Sequence, residues 1–342
     1  MPSVKIKTPS GSVQINYTIS TPTNDNAKSI DKNLPTVLFL HPVYLGHVIF
    51  HHQFASQKLR RCNLVGFDWR CHGETVGVVP SNFRRKEAAD DVAKFMEALK
   101  LPHCHLFGVS LGACVALQTA ISYPDKVLSL FMLSPLPLIE PEIVGAGRQE
   151  IYDCWVDGCK DPKNIDQDAL LDAIFGALQL GFNGGSGSIT TSLIQYTVPQ
   201  GMKNWSSQHF EEFHTVSVKF FTDRKPHPHE VLSTIKTPIH LVHCGGDIAY
   251  PIHYAEELRD ALKGAGVDVR LSQVEAAPHF GNVTHPEPVN ALFHDWIMEN
   301  TRKINIPPAK PTVKSPFEPA LVKCGYIPGE GNASDSEDDF VH

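Results

Sequence analysis

The chain has 342 residues, 42% of them hydrophobic and 20% charged, with a mean hydropathy of −0.15. That balance is too apolar for a disordered chain and too polar for a protein of many membrane spans. Lys and Arg number 30 against 37 Asp and Glu, so a net charge of −7 offers no basic excess to draw nucleic acid. The length allows one large domain, or a domain carrying an insertion, with a core that can exclude water from a buried pocket.

The opening stretch, MPSVKIKTPSGSVQINYTIS, alternates polar and apolar residues and lacks the apolar run of a signal peptide. It reads as two strands joined at Pro9-Ser10-Gly11. Thr36–His41 is a short apolar run, typical of a strand buried on both faces. A helix is expected over Phe50–Leu59 and a strand over Cys62–Trp69. Arg84–Lys100 carries apolar residues at Ala88, Val92, Phe95, Met96 and Leu99, a helical period. A strand over His103–Val109, a helix over Leu111–Tyr123 and a strand over Val127–Leu133 follow. This succession means an α/β fold with a mostly parallel sheet and helices on both faces.

Two prolines in Ser134-Pro135-Leu136-Pro137 then end the pattern. From Pro137 to Lys225 the chain reads helical, over Pro141–Val156, Asp166–Leu180, Ser188–Tyr196 and Gln208–Phe221. A Gly/Ser loop at Gly181–Ser188 divides it. Strands return at Thr237–Cys244 and Val267–Val274, each followed by a helix, at Tyr254–Gly264 and Pro288–Lys303. The expected division is a core of residues 1–136 and 226–303, a helical insertion of 137–225, and an extension of 304–342. That extension is Pro-rich, ends in SDSEDDFVH and reads as solvated or draped on the surface. Ser334 and Ser336 are candidate phosphorylation sites within it.

No stretch is long and apolar enough to span a bilayer. The eight cysteines form no CxxC pair. Cys62, Cys104, Cys114 and Cys244 sit in or beside apolar runs, as reduced thiols do. A cytoplasmic protein without disulfides is expected. Glycosylation sequons at Asn16, Asn204, Asn282 and Asn332 then read as chance matches.

The chemistry concentrates in Gly108-Val109-Ser110-Leu111-Gly112, a G-x-S-x-G between a strand and a helix. At such a sharp turn the glycines avoid clashes and the serine hydroxyl stands at the sheet's carboxyl edge. The helix N-terminus behind it favours developing negative charge. The plainer reading makes Ser110 an ordinary helix N-cap. A nucleophilic serine needs a base, and the base an orienting acid. Asp247, after a strand and two glycines, is the candidate acid, although a turn residue would also suit that place. His279, after the last strand, is the candidate base, with His285 a near competitor at the entry to the final helix. Candidate oxyanion donors are the N–H groups of Leu111 and Val43; Pro42 has none to give.

These residues resemble the α/β-hydrolase superfamily over about residues 10–303. Asp68-Trp-Arg-Cys-His-Gly73 looks like that family's D-x-R-G-H-G segment, with Cys71 in place of the usual Gly. Pro42 stands where many members have Gly. The resemblance implies an eight-stranded, mostly parallel sheet with a helical cap inserted after the sixth strand, where 137–225 falls. It also implies a Ser110/Asp247/His279 triad.

Weaker features surround this core. His103-x-His105 suits a packed pair better than a metal site. His47, His51 and His52 suit a surface helix face, or the pocket mouth. His227 and His229 read as linker. Tyr44, Trp155 and Phe280 are candidate substrate contacts. The insertion's other aromatics, Tyr152, Phe175, Phe182, Tyr196, Trp205, Phe210 and Phe213, divide between its own core and a substrate wall. The expected function is a serine hydrolase for a small to medium, fairly apolar ester or lactone, needing no metal or organic cofactor. The same triad serves C–C bond hydrolysis, thioester hydrolysis and acyl transfer, and the fold also serves small-molecule receptors and scaffolds. The expected partner is a small-molecule substrate, without nucleic acid or membrane, and a homodimer is allowed.

Overall fold

The computed structural model describes residues 2–301 and 306–330. Eight strands form one sheet: β1 (Ser3–Thr8), β2 (Gly11–Ser20), β3 (Thr36–Leu40), β4 (Asn63–Phe67), β5 (Cys104–Val109), β6 (Val127–Leu133), β7 (Ile239–Cys244) and β8 (Val269–Val274). Their spatial order is β1-β2-β4-β3-β5-β6-β7-β8. The β1–β2 and β2–β4 pairings are antiparallel and the rest parallel. The hairpin turns at Gly11, whose φ of +113° only glycine adopts freely. Every residue of β3, β4, β5 and β7 is buried, which explains their unbroken apolar runs.

Among the described residues the helices of five residues or more are α1 (Arg85–Ala98), α2 (Leu111–Ser122), α3 (Glu142–Cys159), α4 (Gln167–Phe182), α5 (Ser188–Asn204), α6, α7 (Ile252–Gly264), α8 (Pro286–Asn300) and α9 (Glu318–Lys323). The composite α6 begins at Phe210–His214, passes through a π turn at Thr215–Lys219 and ends at Phe220–Thr222. One side of the sheet gathers Val92 and Phe95 of α1, Val115 and Ala116 of α2, and Leu258 and Leu262 of α7. The other gathers Val289, Phe293 and Ile297 of α8 with Phe50 and Phe54. The helices α3 to α6 lie between β6 and β7.

Several expectations need correction. No helix spans Phe50–Leu59; a 3₁₀ turn at His47–Phe50 leads into one helical turn at His51–Phe54. Neither His47 nor His51 faces solvent or a pocket mouth: both are buried. The backbone and ring Nδ1 of His47 are held by the Asp68 carboxylate, at 2.8 and 2.6 Å. The helix expected to stop at Tyr196 continues through Pro199 to Asn204, because Thr197 and Gly201 on its next turns are buried. His103 is exposed and lies outside β5, while His105 bonds Ser129 and Thr301 through its two ring nitrogens. Among the described residues no group of three or more His, Cys, Asp or Glu is placed to hold a metal, and no helix is long and apolar enough to cross a membrane.

Residues 306–330 are draped on the surface, the second of the two expectations, and are anchored there at a few points. Phe317 and Leu321 are buried, and the Phe317 ring packs edge-on to Phe54 at 5.1 Å. Arg60 and Arg61 donate to the Lys314 and Pro307 carbonyls. Ser334, Ser336 and the Asn332 sequon lie outside the described residues.

Two outcomes follow from this packing. Phe317→Ala leaves a cavity against Phe54 and is expected to lower unfolding free energy by about 3–5 kcal/mol in urea titration. The second concerns acid. Burial pushes His105 down to about 4, and burial together with neighbouring His52 pushes His51 down to about 3. Below pH of about 6.5 an unfolded histidine takes up a proton that these folded ones refuse. Stability therefore falls as pH drops from about 6.5 towards 4, and His105→Gln should flatten that part of a melting-temperature profile.

Candidate active site

The turn from β5 into α2 holds Ser110 at φ +54° and ψ −111°, a conformation that an L-residue keeps only when its surroundings impose it. Two close approaches impose it here. A Cβ on Gly108 would stand 2.4 Å from the Gly112 carbonyl oxygen, and one on Gly112 would stand 1.9 Å from the Leu40 carbonyl oxygen. The glycines therefore let the first turn of α2 lie on the end of β3. Ser110 occupies the N-cap position of α2, but its hydroxyl makes no capping bond, so the hydroxyl is free for other work.

That hydroxyl lies 2.9 Å from His279 Nε2, and His279 Nδ1 lies 2.5 Å from Asp247 Oδ2. Asp247 Oδ1 accepts the N–H groups of Ala249 and Tyr250, each at 3.0 Å. All three side chains are almost wholly buried. The carboxylate is thus fixed by the backbone on one oxygen and fixes the imidazole with the other. His285 is not part of this line; its Nδ1 pairs with the neighbouring Thr284 hydroxyl.

The loops that carry Asp247 and His279 are tied together. Gly246 N–H donates to the Ala277 carbonyl, and a Cβ on Gly246 would meet the Ala276 carbonyl at 2.6 Å. Ser134, where the sheet pattern broke, donates its hydroxyl to the His279 carbonyl at 2.5 Å. The end of α4 adds two clamps: Gly181 accepts the Phe280 N–H, and the Asn183 amide donates to the Gly246 carbonyl.

On the β3 side, His41 accepts the Trp69 N–H at Nε2, so its proton sits on Nδ1 and donates to the Pro42 carbonyl at 2.6 Å. Burial holds His41 well below the ordinary histidine range, which keeps it in this neutral form. With the Pro42 carbonyl turned to His41, the trans peptide points the Val43 N–H the opposite way. Val43 and Leu111 are both buried. Tyr44 follows at φ +71°. Beneath this loop Asp68 accepts from Asn16, His47 and Glu74, and the field of His47 helps hold its carboxyl well below the usual range despite burial. Cys71, where the D-x-R-G-H-G pattern has Gly, takes φ +64°, the conformation that favours glycine there.

A narrow pocket of about 60 Å³ lies among α3, α4, α5 and α6 and the core. Tyr44, Trp155 and Phe280 all line it, with Ile151, Trp205 and Phe213 among its other walls. The indole N–H groups of Trp155 and Trp205 are spent on the Trp205 and Cys71 carbonyls, which leaves their apolar faces for the pocket. Phe182 joins the lining, whereas Phe175 is exposed. Ser110 itself is not among the lining residues: the core side of the wall is Tyr44, Leu45 and Phe280, neighbours in sequence of Val43 and His279. Arg148, Tyr250, His41 and Ser134 belong to the site's surroundings and were not singled out from sequence. Only the paired prolines after Ser134 marked any of them as special.

Residues 35–286 match the family described as alpha/beta hydrolase fold. A carbamate hydrolase by name, from Serratia proteamaculans, is 22% identical over 241 residues, covering 65% of this chain and 76% of its own. Ethanol acetyltransferase 1 of Wickerhamomyces ciferrii is 28% identical over 138 residues, 38% of this chain and 33% of its own. Among solved structures, a thermophilic esterase from Thermogutta terrifontis superposes with a TM-score of 0.62 at 15% identity, over 88% of this chain and 99% of its own. That likeness is one of fold.

The turn at Ser110 gives a direct test. Gly112→Ala drives a methyl into the Leu40 carbonyl, and urea titration should show a loss of at least about 1–3 kcal/mol. Unchanged stability would mean that β3 and α2 are not in this contact.

Proposed function

Because the chain belongs to the alpha/beta hydrolase fold family, we propose that it is a serine hydrolase cleaving a small to medium, largely apolar ester or lactone through an acyl-enzyme. The observation that carries this reading is the unbroken line from the Ser110 hydroxyl through His279 to Asp247, at 2.9 and 2.5 Å. A hydroxyl alone is a weak nucleophile; an imidazole at hydrogen-bond distance removes its proton as the bond to carbon forms.

In this reading Ser110 Oγ attacks the substrate carbonyl while His279 Nε2 takes the proton. Asp247 holds the imidazole by its Nδ1–H and stabilises the positive charge it acquires. The oxyanion rests on the N–H groups of Val43 and Leu111, aided by the N-terminus of α2. His279 then protonates the leaving group, and a second cycle with water releases the acid. The helices α3 to α6 act as a cap over the site, and Tyr44, Trp155 and Phe280 hold the apolar part of the substrate. Cytoplasmic residence belongs to this reading and is supported by eight cysteines without a disulfide. An alcohol in place of water would turn the same chemistry into acyl transfer, so products should be measured with and without an added alcohol.

A neutral alkyl fluorophosphonate should label the protein stoichiometrically, and Ser110→Ala should abolish labelling. Folded wild-type protein that stays unlabelled would favour a binding role on the same fold. Asp247→Asn should lower turnover of a reactive ester by on the order of 10³–10⁴-fold with little loss of folding. Unchanged turnover would place the orienting acid elsewhere.

A further inference from the structure

The region above the triad contains a charge that nothing in the proposed chemistry uses. Arg148 of α3 and Arg224 both bind Glu140, through Nε to Oε1 at 2.9 Å and Nη2 to Oε2 at 3.0 Å. All three side chains are nearly inaccessible, at 1%, 4% and 2% exposure. Burial alone would raise the Glu140 carboxyl, but the two guanidiniums hold it below its ordinary value, so it is ionised. Two guanidiniums against one carboxylate leave an excess of one positive charge in the interior. The other groups nearby do not cancel it. Burial raises the hydroxyls of Tyr44 and Tyr250, which stay neutral. The Asp247 carboxylate, reached through Tyr250, is already engaged by His279 and two backbone N–H groups.

The arrangement of Arg148 narrows where that charge is felt. Its Nε is spent on Glu140, its Nη2 on the Tyr250 hydroxyl at 2.8 Å, and one face of the guanidinium lies 3.5 Å from the centre of the Phe221 ring. Nη1 and the Tyr44 hydroxyl are both buried without a well-formed hydrogen bond, and the guanidinium acts on that hydroxyl by its charge and by a long, weak contact. Tyr44, Ile151 and Trp155 line the apolar pocket. Arg148 lies three residues before Ile151 and seven before Trp155 on α3, on the same helical face. Tyr250 links it to the triad, with its ring 5.2 Å from that of His279. A buried guanidinium N–H met only by a weakly bonded hydroxyl is under-satisfied, and an anionic ligand would supply the strong acceptor that it lacks.

From this placement we infer that Arg148 Nη1 and the Tyr44 hydroxyl form an anion-binding end to the apolar pocket, and that the substrate carries a carboxylate or similar anionic group beyond its apolar part. The inference deepens the hydrolase reading by naming the substrate class, yet it can fail alone. Arg148 and Tyr44 act in binding and specificity; neither touches the reacting carbonyl.

The test is calorimetric binding to the Ser110→Ala protein of a series of ω-phenylalkanoates, each compared with its own primary amide. At least one carboxylate should bind about tenfold or more tightly than its amide, the worth of one charge-assisted pair of hydrogen bonds. Arg148→Gln, which leaves Glu140 paired with Arg224 and removes the excess charge, should bring the ratio to within about twofold. Tyr44→Phe removes a single oxygen and should narrow the ratio if the Arg148 variant does not fold. Equal or absent binding of every acid and amide pair, or a ratio that survives both variants, overturns the subsite. Fluorophosphonate labelling of wild-type protein separates the cases: labelling with no acid preference sinks the subsite alone, whereas an acid preference without labelling sinks the hydrolase reading alone.

Discussion

The molecule is organised around one steric constraint, the contact of the α2 N-terminus with the carboxyl end of β3. It exists only because Gly112 has no Cβ to meet the Leu40 carbonyl. With that contact made, the β5–α2 turn has little freedom, and Ser110 is held at positive φ with its hydroxyl uncommitted to the helix. The same contact brings the end of β3, and with it the loop that carries Val43, to the N-terminus of α2. Ser110 and Leu111 are therefore placed with the loop after β3 by one backbone approach, and the sheet supplies the rigidity that a loop could not.

Asp247 and His279 are positioned by a different device, a set of hydrogen bonds among loops. Asp247 is fixed by its own following N–H groups, and its loop is stitched to the His279 loop through Gly246. Ser134 holds the His279 carbonyl from β6, the strand whose ladder the prolines end. The helical segment takes part as well. Asn183 and Gly181 at the end of α4 bond both loops, and Arg148 on α3 bonds Tyr250. Movement of these helices would therefore be felt at His279.

Much of this was legible in the sequence because it rests on local signals. Alternating and continuous apolar runs placed all eight strands, with β6 matching its expected span. The G-x-S-x-G between strand and helix, the glycine pair before Asp247 and the loop before His279 are short-range features, and the structure brings those three residues together. The missing parts depend on distant pairings. His47 reads as surface because nothing nearby announces Asp68, its partner 21 residues away. The Glu140, Arg148 and Arg224 cluster spans 84 residues, and each member looks like an ordinary surface charge. The tail reads as solvated or draped on the surface from its proline content, and the packed Phe317 and Leu321 show the second for the described residues. The end of α5 was misplaced because Pro199 is a strong stop signal that burial of the following turns overrides.

The central claim is that the uncommitted Ser110 hydroxyl faces an assembled base and a preset oxyanion site. A crystal structure of the fluorophosphonate adduct tests it most directly. The account predicts phosphorus bonded to Ser110 Oγ, its anionic oxygen within hydrogen-bond reach of the Val43 and Leu111 N–H groups, and His279 still bonded to Asp247. Phosphorus on another side chain, or an oxygen turned away from both N–H groups, would contradict it.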